Sequence, residues 1–248
     1  MIKVLYLSLI FNFLIANNEI NQIFIEANNH FINQKYDKAI EKYEKIINSG
    51  NENSIIFYNL GNAYFRNNYL GHSIWAYKKS LRSNPRNEDA NYNLLIAQSR
   101  IKGQIKMPKV LFFLDLYRQF KGGFTISELL LFTSYLFFIF SFLILILKLK
   151  IIKNSYFYLF NKILLSIIII INLIGIDIYL HLKNDKKGVV ISKNLDAYSG
   201  PEYGQNLIIF RLNEGMIFEI NKIKDNWIEI IIADGQRGWV PINSVRII

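Results

Sequence analysis

Residues 129–147 read LLLFTSYLFFIFSFLILIL, nineteen positions without a charged side chain. As an α-helix this stretch rises roughly 28 Å, about one hydrocarbon thickness. It shows no polar face of the kind a soluble helix turns to water. Just ahead of it, Thr125 and Glu128 make a T-x-x-E capping box, which satisfies terminal amides that lipid cannot. The reading is a first transmembrane helix over 126–147, and it divides the chain into an N-terminal and a C-terminal half.

The next uncharged run, Ile163 to Ile176, is shorter. A second span is therefore predicted over 160–180, carrying Lys162 near one end, where it can snorkel, and Asp177 near the other. Asn172 in its middle predicts a hydrogen bond between helices. The loop Lys148–Asn154, KLKIIKN, holds three lysines and no acid, so the positive-inside rule puts it in the cytoplasm and both flanking regions outside. Residues 107–124, MPKVLFFLDLYRQFKGGF, read as an interfacial amphipathic segment. The opening MIKVLYLSLIFNFLIANNE has one lysine and then an apolar run from Val4 to Ala16, the length of a signal-peptide h-region. Residues 1–16 are thus a signal peptide or an N-terminal anchor; Leu14 is a poor residue three places before a cut after Ala16. Export agrees with the orientation the lysine loop requires.

Composition narrows the functional classes. The chain is 52% apolar and only 19% charged, which suits a protein partly in lipid. Zero cysteines exclude a disulfide framework, a zinc finger, an iron–sulfur cluster and a thiol nucleophile. The three histidines, His30, His72 and His181, are too scattered for a metal motif, so no metal or other cofactor is implied. The net charge of +10 gathers beside apolar runs, at Arg100, Lys102, Lys106 and Lys109, at Lys148 to Lys162, and at Lys183 to Lys187. Lysines so placed meet headgroups. The lipid bilayer is a partner and nucleic acid is not, since no basic stripe with interleaved aromatics lies on one face.

Upstream of the hairpin, Ile20–Asn53 aligns with Ser54–Asn87 at a period of 34 residues. Ala27 falls over Gly61, Phe31 over Phe65, Ala39 over Ser73, Tyr43 over Tyr77 and Asn51 over Pro85. This resembles the tetratricopeptide repeat, with Leu60, Gly61, Tyr64, Tyr77 and Pro85 at the expected places in the second copy and Phe57 where tryptophan is usual. The first copy departs at His30 and lacks the closing proline. The resemblance implies antiparallel helix pairs, an all-α stack over 20–101 closed by a capping helix at 88–101. It also implies an inner groove lined by first-helix side chains, here Phe24, Asn28, Phe31, Tyr58, Asn59, Asn62 and Phe65. Asn28 and Asn62 share one place in their repeats, and an asparagine amide can both donate to and accept from an extended peptide. The carboxylate-clamp variant would want lysines at Phe24 and Asp89 and an arginine at Asn93, and lacks them here.

After Lys187 the texture changes to short alternating runs separated by Gly, Pro, Asn and Asp, such as MIFEINKI and WIEIII, with ADGQRGW supplying a D-G turn. Five or six short strands in residues 188–248 predict a small all-β barrel. Val189, Val190, Ser199-Gly200-Pro201, Leu212, Gly215, Trp227, Gly235, Gly238-Trp239-Val240 and Val245 resemble the bacterial SH3-like domain in order and spacing. That resemblance implies cell-envelope ligands. Tyr198, Tyr203, Trp227 and Trp239 are its groove candidates, since aromatic grooves read extended peptides in SH3 domains.

The only catalytic constellation on offer is Glu128, Asp177 and His181. The last two lie one helical turn apart and an antiparallel hairpin could bring the first to the same face. With no nucleophile motif beside it, the chain is expected not to be an enzyme. The order of leader, two repeats, transmembrane hairpin and SH3-like barrel resembles the BatE-type proteins of bacterial aerotolerance operons. That implies an inner-membrane protein with both terminal domains extracytoplasmic, working with membrane partners that carry von Willebrand A-type domains in envelope stress. The first expectation is a non-enzymatic scaffold presenting two tethered binding modules. The alternative is a sensor of cell-wall peptides acting through the barrel, and the third a membrane enzyme.

Overall fold

The computed structural model describes residues 19–103, 111–149, 155–184 and 186–248. The expected leader at 1–16 and most of the lysine loop lie outside these residues. The fold divides into two compact units: the N-terminal helices together with the C-terminal sheet, and the apolar helices between them.

In the first unit, five helices run in antiparallel order: α1 (residues 19–32), α2 (Tyr36–Asn48), α3 (Ser54–Arg66), α4 (Leu70–Ser83) and α5 (Glu88–Ser99). Local chemistry sets their ends. The Asn53 side chain accepts from Ile55 N at the start of α3, and the Asn87 side chain accepts from Ala90 N at the start of α5. Gln34 (φ 58°) and Asn68 (φ 61°) take left-handed backbone in the α1–α2 and α3–α4 turns, one at each end of a 34-residue interval. The stack's core holds Tyr43, Phe57, Leu60, Ile74 and Tyr77, each at most 1% exposed. Tyr77 lies over Gly61, where even a Cβ would come within 2.6 Å of the ring.

The C-terminal sheet has seven antiparallel strands: β1 (Lys187–Val190), β2 (Asn194–Tyr198), β3 (Ile208–Asn213), β4 (Ile217–Lys224), β5 (Trp227–Ile231), β6 (Arg237–Pro241) and β7 (Val245–Ile247). Their order in the sheet is β3-β2-β6-β5-β4-β1-β7. Alternation drives one face inward: Leu195 and Ala197, Ile228 and Ile230, and Val240 form the barrel core with Val190, Leu212 and Phe218. Bulges between Ala197 and Tyr198 and between Ile220 and Lys222 bend the sheet.

Two separately tethered modules were expected, and here the structure corrects the reading. Helix stack and barrel share one core, in which Val189, Met216, Ile217 and Ile248 join Ile74, Trp75 and Ile101. Helix α4 lies on β1 and β7. At Gly71 a Cβ would stand 2.2 Å from the Val190 carbonyl oxygen, so only glycine permits this approach, and Gly71 N donates to Glu214 Oε1 at 2.8 Å. Gly215, with φ 87°, turns β3 into β4 directly against Ile74 and Ile101. The Trp75 indole donates to the Ile247 carbonyl at 2.8 Å, and Arg82 to that of Ile248 at 2.9 Å. The apolar area of these facing surfaces is what the sequence had no means of pairing.

The second unit contains α6 (Phe112–Gly122), α7 (Ile126–Lys148) and α8 (Ser155–Asn184). Helices α7 and α8 pack along each other and are long and apolar enough to cross a membrane. The Thr125–Glu128 capping box is present at the start of α7. Helix α8 has 30 residues, longer than the 160–180 segment expected, and spans roughly 45 Å. Its apolar middle is flanked by Tyr156, Tyr158, Asn161 and Lys162 at one end and by His181 and Lys183 at the other. Asn172 donates to the Ile168 carbonyl of its own helix at 2.8 Å, so its amide makes an intrahelical bond rather than the interhelical one expected.

Candidate functional site

Along the inner edge of the helix stack the structure repeats one polar triad. Tyr43 Oη donates to Asn28 Oδ1 (2.5 Å), which also accepts from Asn59 Nδ2 (3.2 Å). Thirty-four positions on, Tyr77 Oη donates to Asn62 Oδ1 (2.8 Å), which also accepts from Asn93 Nδ2 (2.9 Å). In each triad a second-helix tyrosine and the first helix of the following pair hold one asparagine between them. Burial pushes the Tyr43 phenol up to about 12 and raises that of Tyr77 further, so both stay neutral donors and the triads keep their polarity. With the Asn28 and Asn62 oxygens each used twice, those two amides have N–H groups to offer, while Asn59 and Asn93 have their carbonyl oxygens. An extended peptide backbone supplies the complement of both.

The aromatic groove candidates also brace the stack. Phe24, Phe31, Tyr58 and Phe65 are half-buried and pack on the stack's core. Phe24 tilts against Tyr43 (6.1 Å), Phe31 meets Tyr36 edge-on (5.5 Å) and Phe65 lies under the Arg100 guanidinium (4.2 Å). Asn93, set aside in sequence as a missing clamp position, is the residue that closes the second triad, and the 34-residue interval from Asn59 could have found it.

On the barrel, three of the four aromatic candidates meet. Ring centroids lie 5.8 Å apart for Tyr198–Tyr203, 5.5 Å for Tyr198–Trp227 and 4.7 Å for Tyr203–Trp227. Trp239 stands opposite Tyr198 and Glu229 on the ladder, and among the described residues no ring contact joins it to the other three. Beside the trio opens a cavity of about 770 Å³ lined by Asp196, Tyr198, Tyr203, Gly204, Gln205, Ile208 and Arg211. Alternation puts Asp196 on the same face of β2 as Tyr198, and Arg211 pairs across from Asp196 on β3, with Arg211 Nε donating to Asp196 Oδ1 at 2.7 Å. Sequence reading missed this charged wall; the D-A-Y alternation could have found Asp196, but Arg211 needed the β2–β3 register.

Where the stack meets the barrel, Glu44 accepts from Tyr64 and from Arg246 Nη1 (2.7 Å), and the Arg246 guanidinium covers the Trp75 ring at 4.3 Å. His72 stacks on Tyr64 at 4.8 Å, its Nδ1 buried without a hydrogen-bond partner. Burial, with Arg246 nearby, lowers its pKa to about 4, so the imidazole is neutral there.

In the hairpin, Asp177 Oδ2 accepts from Tyr117 Oη (2.8 Å) and Lys121 Nζ (2.7 Å) of α6. Glu128 Oε2 accepts from the Thr125 amide. Each carboxylate of the Glu128, Asp177 and His181 candidate thus has a structural partner, and among the described residues no group of three His, Asp or Glu side chains is placed to hold a metal.

No curated protein matches the chain. The short strands, the D-G turn and the Gly-Trp-Val run do have a counterpart: residues 192–246 match the bacterial SH3 domain family, and that segment of the chain is a bacterial SH3 domain.

Proposed function

We propose that this is a non-enzymatic, membrane-anchored scaffold that holds a two-faced binding body on the extracytoplasmic side of the bacterial inner membrane. The observation that carries the reading is the shared core of stack and barrel. Residues 19–103 and 186–248 build one unit although two membrane-length helices separate them in sequence. Such a unit assembles only when both parts lie on one side, which calls for an even number of crossings between them. The lysines of 148–154 favour the cytoplasm for the bend and hence the envelope space for the body. A bacterial SH3 domain fits a protein or peptidoglycan ligand, and the paired triads fit an extended protein segment in a tetratricopeptide-like groove. The domain order supports a place in an aerotolerance or envelope-stress complex, with von Willebrand A-type membrane proteins as partners.

Reporter enzymes fused at Asn51 and after Ile248 should both be active outside the cytoplasm and inactive within it; activity of either one inside overturns the topology. Crosslinking of intact membranes should recover a membrane partner that is lost on Tyr58→Ala with Asn62→Ala, and a partner set unchanged by deletion of residues 17–101 overturns the scaffold role. The second reading, a sensor of wall peptides, is favoured by the cavity at Tyr198 and Tyr203. It fails if the intact protein shows no retention on peptidoglycan.

A further inference from the structure

We infer that the barrel cavity takes a short peptide carrying an amino-acid-type zwitterion, an ammonium and a carboxylate on one carbon. This rests on the peptide-binding reading of the barrel and names its ligand chemistry. The Arg211 side chain is 74% exposed and that of Asp196 only 32%, so the pair forms part of the cavity wall with its guanidinium toward water. The bond between them uses Nε and one carboxylate oxygen. Both Nη groups of a guanidinium so engaged can still donate, and the second carboxylate oxygen can still accept. A ligand bringing a single charge would satisfy one member of the pair and repel the other. A zwitterion laid antiparallel gives each charge an opposite neighbour, so all four are compensated.

The aromatic wall argues the same way by excluding an alternative. Tyr198, Tyr203 and Trp227 touch one another, with centroids 4.7 to 5.8 Å apart. No gap remains among them for an ammonium, so they are not a cation cage; Tyr198 and Tyr203, the two that line the cavity, offer edges and faces to the apolar body of a ligand. A volume of about 770 Å³ is far larger than one amino acid, and Gln205 on the cavity wall adds an amide suited to peptide groups. The occupant is therefore a peptide bearing the zwitterion rather than a free amino acid.

The test is calorimetric titration of the full chain in nanodiscs with three probes: the tripeptide alanyl-γ-glutamyl-diaminopimelate, its lysine analogue that lacks the distal carboxylate, and free diaminopimelate. The first should bind roughly tenfold or more tighter than either of the others, the scale of one charge-assisted contact. Arg211→Gln should weaken the tripeptide about tenfold and erase its preference over the lysine form, with the melting temperature unchanged. Equal binding of the two peptides, or indifference to Arg211→Gln, overturns the inference. Free diaminopimelate binding as tightly as the tripeptide overturns the peptide assignment. Retention on peptidoglycan that ignores Arg211→Gln sinks this inference and spares the barrel's wider role, whereas absence of any retention removes both.

Discussion

Helices α4 and α7 differ in how much of their apolar surface other parts of the protein cover. In α4, Ile74, Trp75, Ala76 and Tyr77 are buried while Lys78 and Lys79 are partly open. In α7 only Leu129 and Thr133 are buried, and Leu131 and Phe138 stand 72% and 73% exposed. The first helix needs a protein surface on two sides, the stack on one and the barrel on the other. The second has one long neighbour, α8, and leaves most of its apolar surface uncovered by protein. Apolar content separates these cases: α7 is apolar enough along its length to cross a membrane, while α4 mixes His72, Ser73, Lys78, Lys79 and Ser80 among its apolar positions. The body therefore depends on shape-matched contacts between distant segments, and the hairpin depends mainly on length and on the placement of a few charges.

That contrast can be broken most forcefully at Gly71. Gly71→Val should destabilise the body by about 3 kcal/mol or more, because the added carbons meet backbone of β1 that cannot move aside. Limited proteolysis should then cut between stack and barrel, and an unchanged unfolding midpoint would refute the shared core. Next comes Arg246→Ala, expected to cost about 2–3 kcal/mol, since Glu44 loses its cation and Trp75 loses its cover. Asp196→Asn, which breaks the exposed pair with Arg211, should cost well under about 1 kcal/mol by the same thermal measurement.

Protonation gives a further effect, one that depends on pH. The His72 pKa of about 4 lies below its unfolded value near 6.5, so between those values the unfolded chain binds a proton that the folded body refuses. This contribution is complete above pH 6.5 and is lost as the pH falls toward 4. The melting temperature should accordingly drop across that window, and His72→Phe should flatten the drop. A slope that survives the substitution would assign it to other groups. In the hairpin, Asp177→Asn should leave α7 and α8 intact and loosen only α6. Because the chain has no native cysteine, a single spin label at Phe113→Cys reads this directly as increased mobility.

Sequence reading reached the elements whose signals are local or periodic. The charge-free run before Lys148 marks α7, and the Gly, Trp and Asp-Gly markers after Lys187 locate the bacterial SH3 domain. The 34-residue interval also set Asn28 beside Asn62 and Tyr43 beside Tyr77 in the alignment. Partnerships across the chain escaped. Gly71 meets Glu214 at a separation of 143 positions, and Asp177 finds Tyr117 and Lys121 at 60 and 56. Nothing in the immediate neighbourhood of Asp177 announces that α6 will neutralise it, so proximity along one helix suggested His181 instead. Arg211 was invisible for a related reason: its role exists only once β2 and β3 are in register.

With α7 and α8 across a membrane, as proposed above, the shared core would make the finished protein a witness to its own insertion. A chain that threads one helix across the bilayer and fails with the other strands its halves in different compartments. Ile74 and Trp75 then face water on one side while Val189 and Met216 do so on the other. Exposed apolar surface of that kind attracts proteases and chaperones. Under that topology only a correctly threaded hairpin would let the last strands close against α4, so survival of the chain would sort good threading from bad without a dedicated sensor.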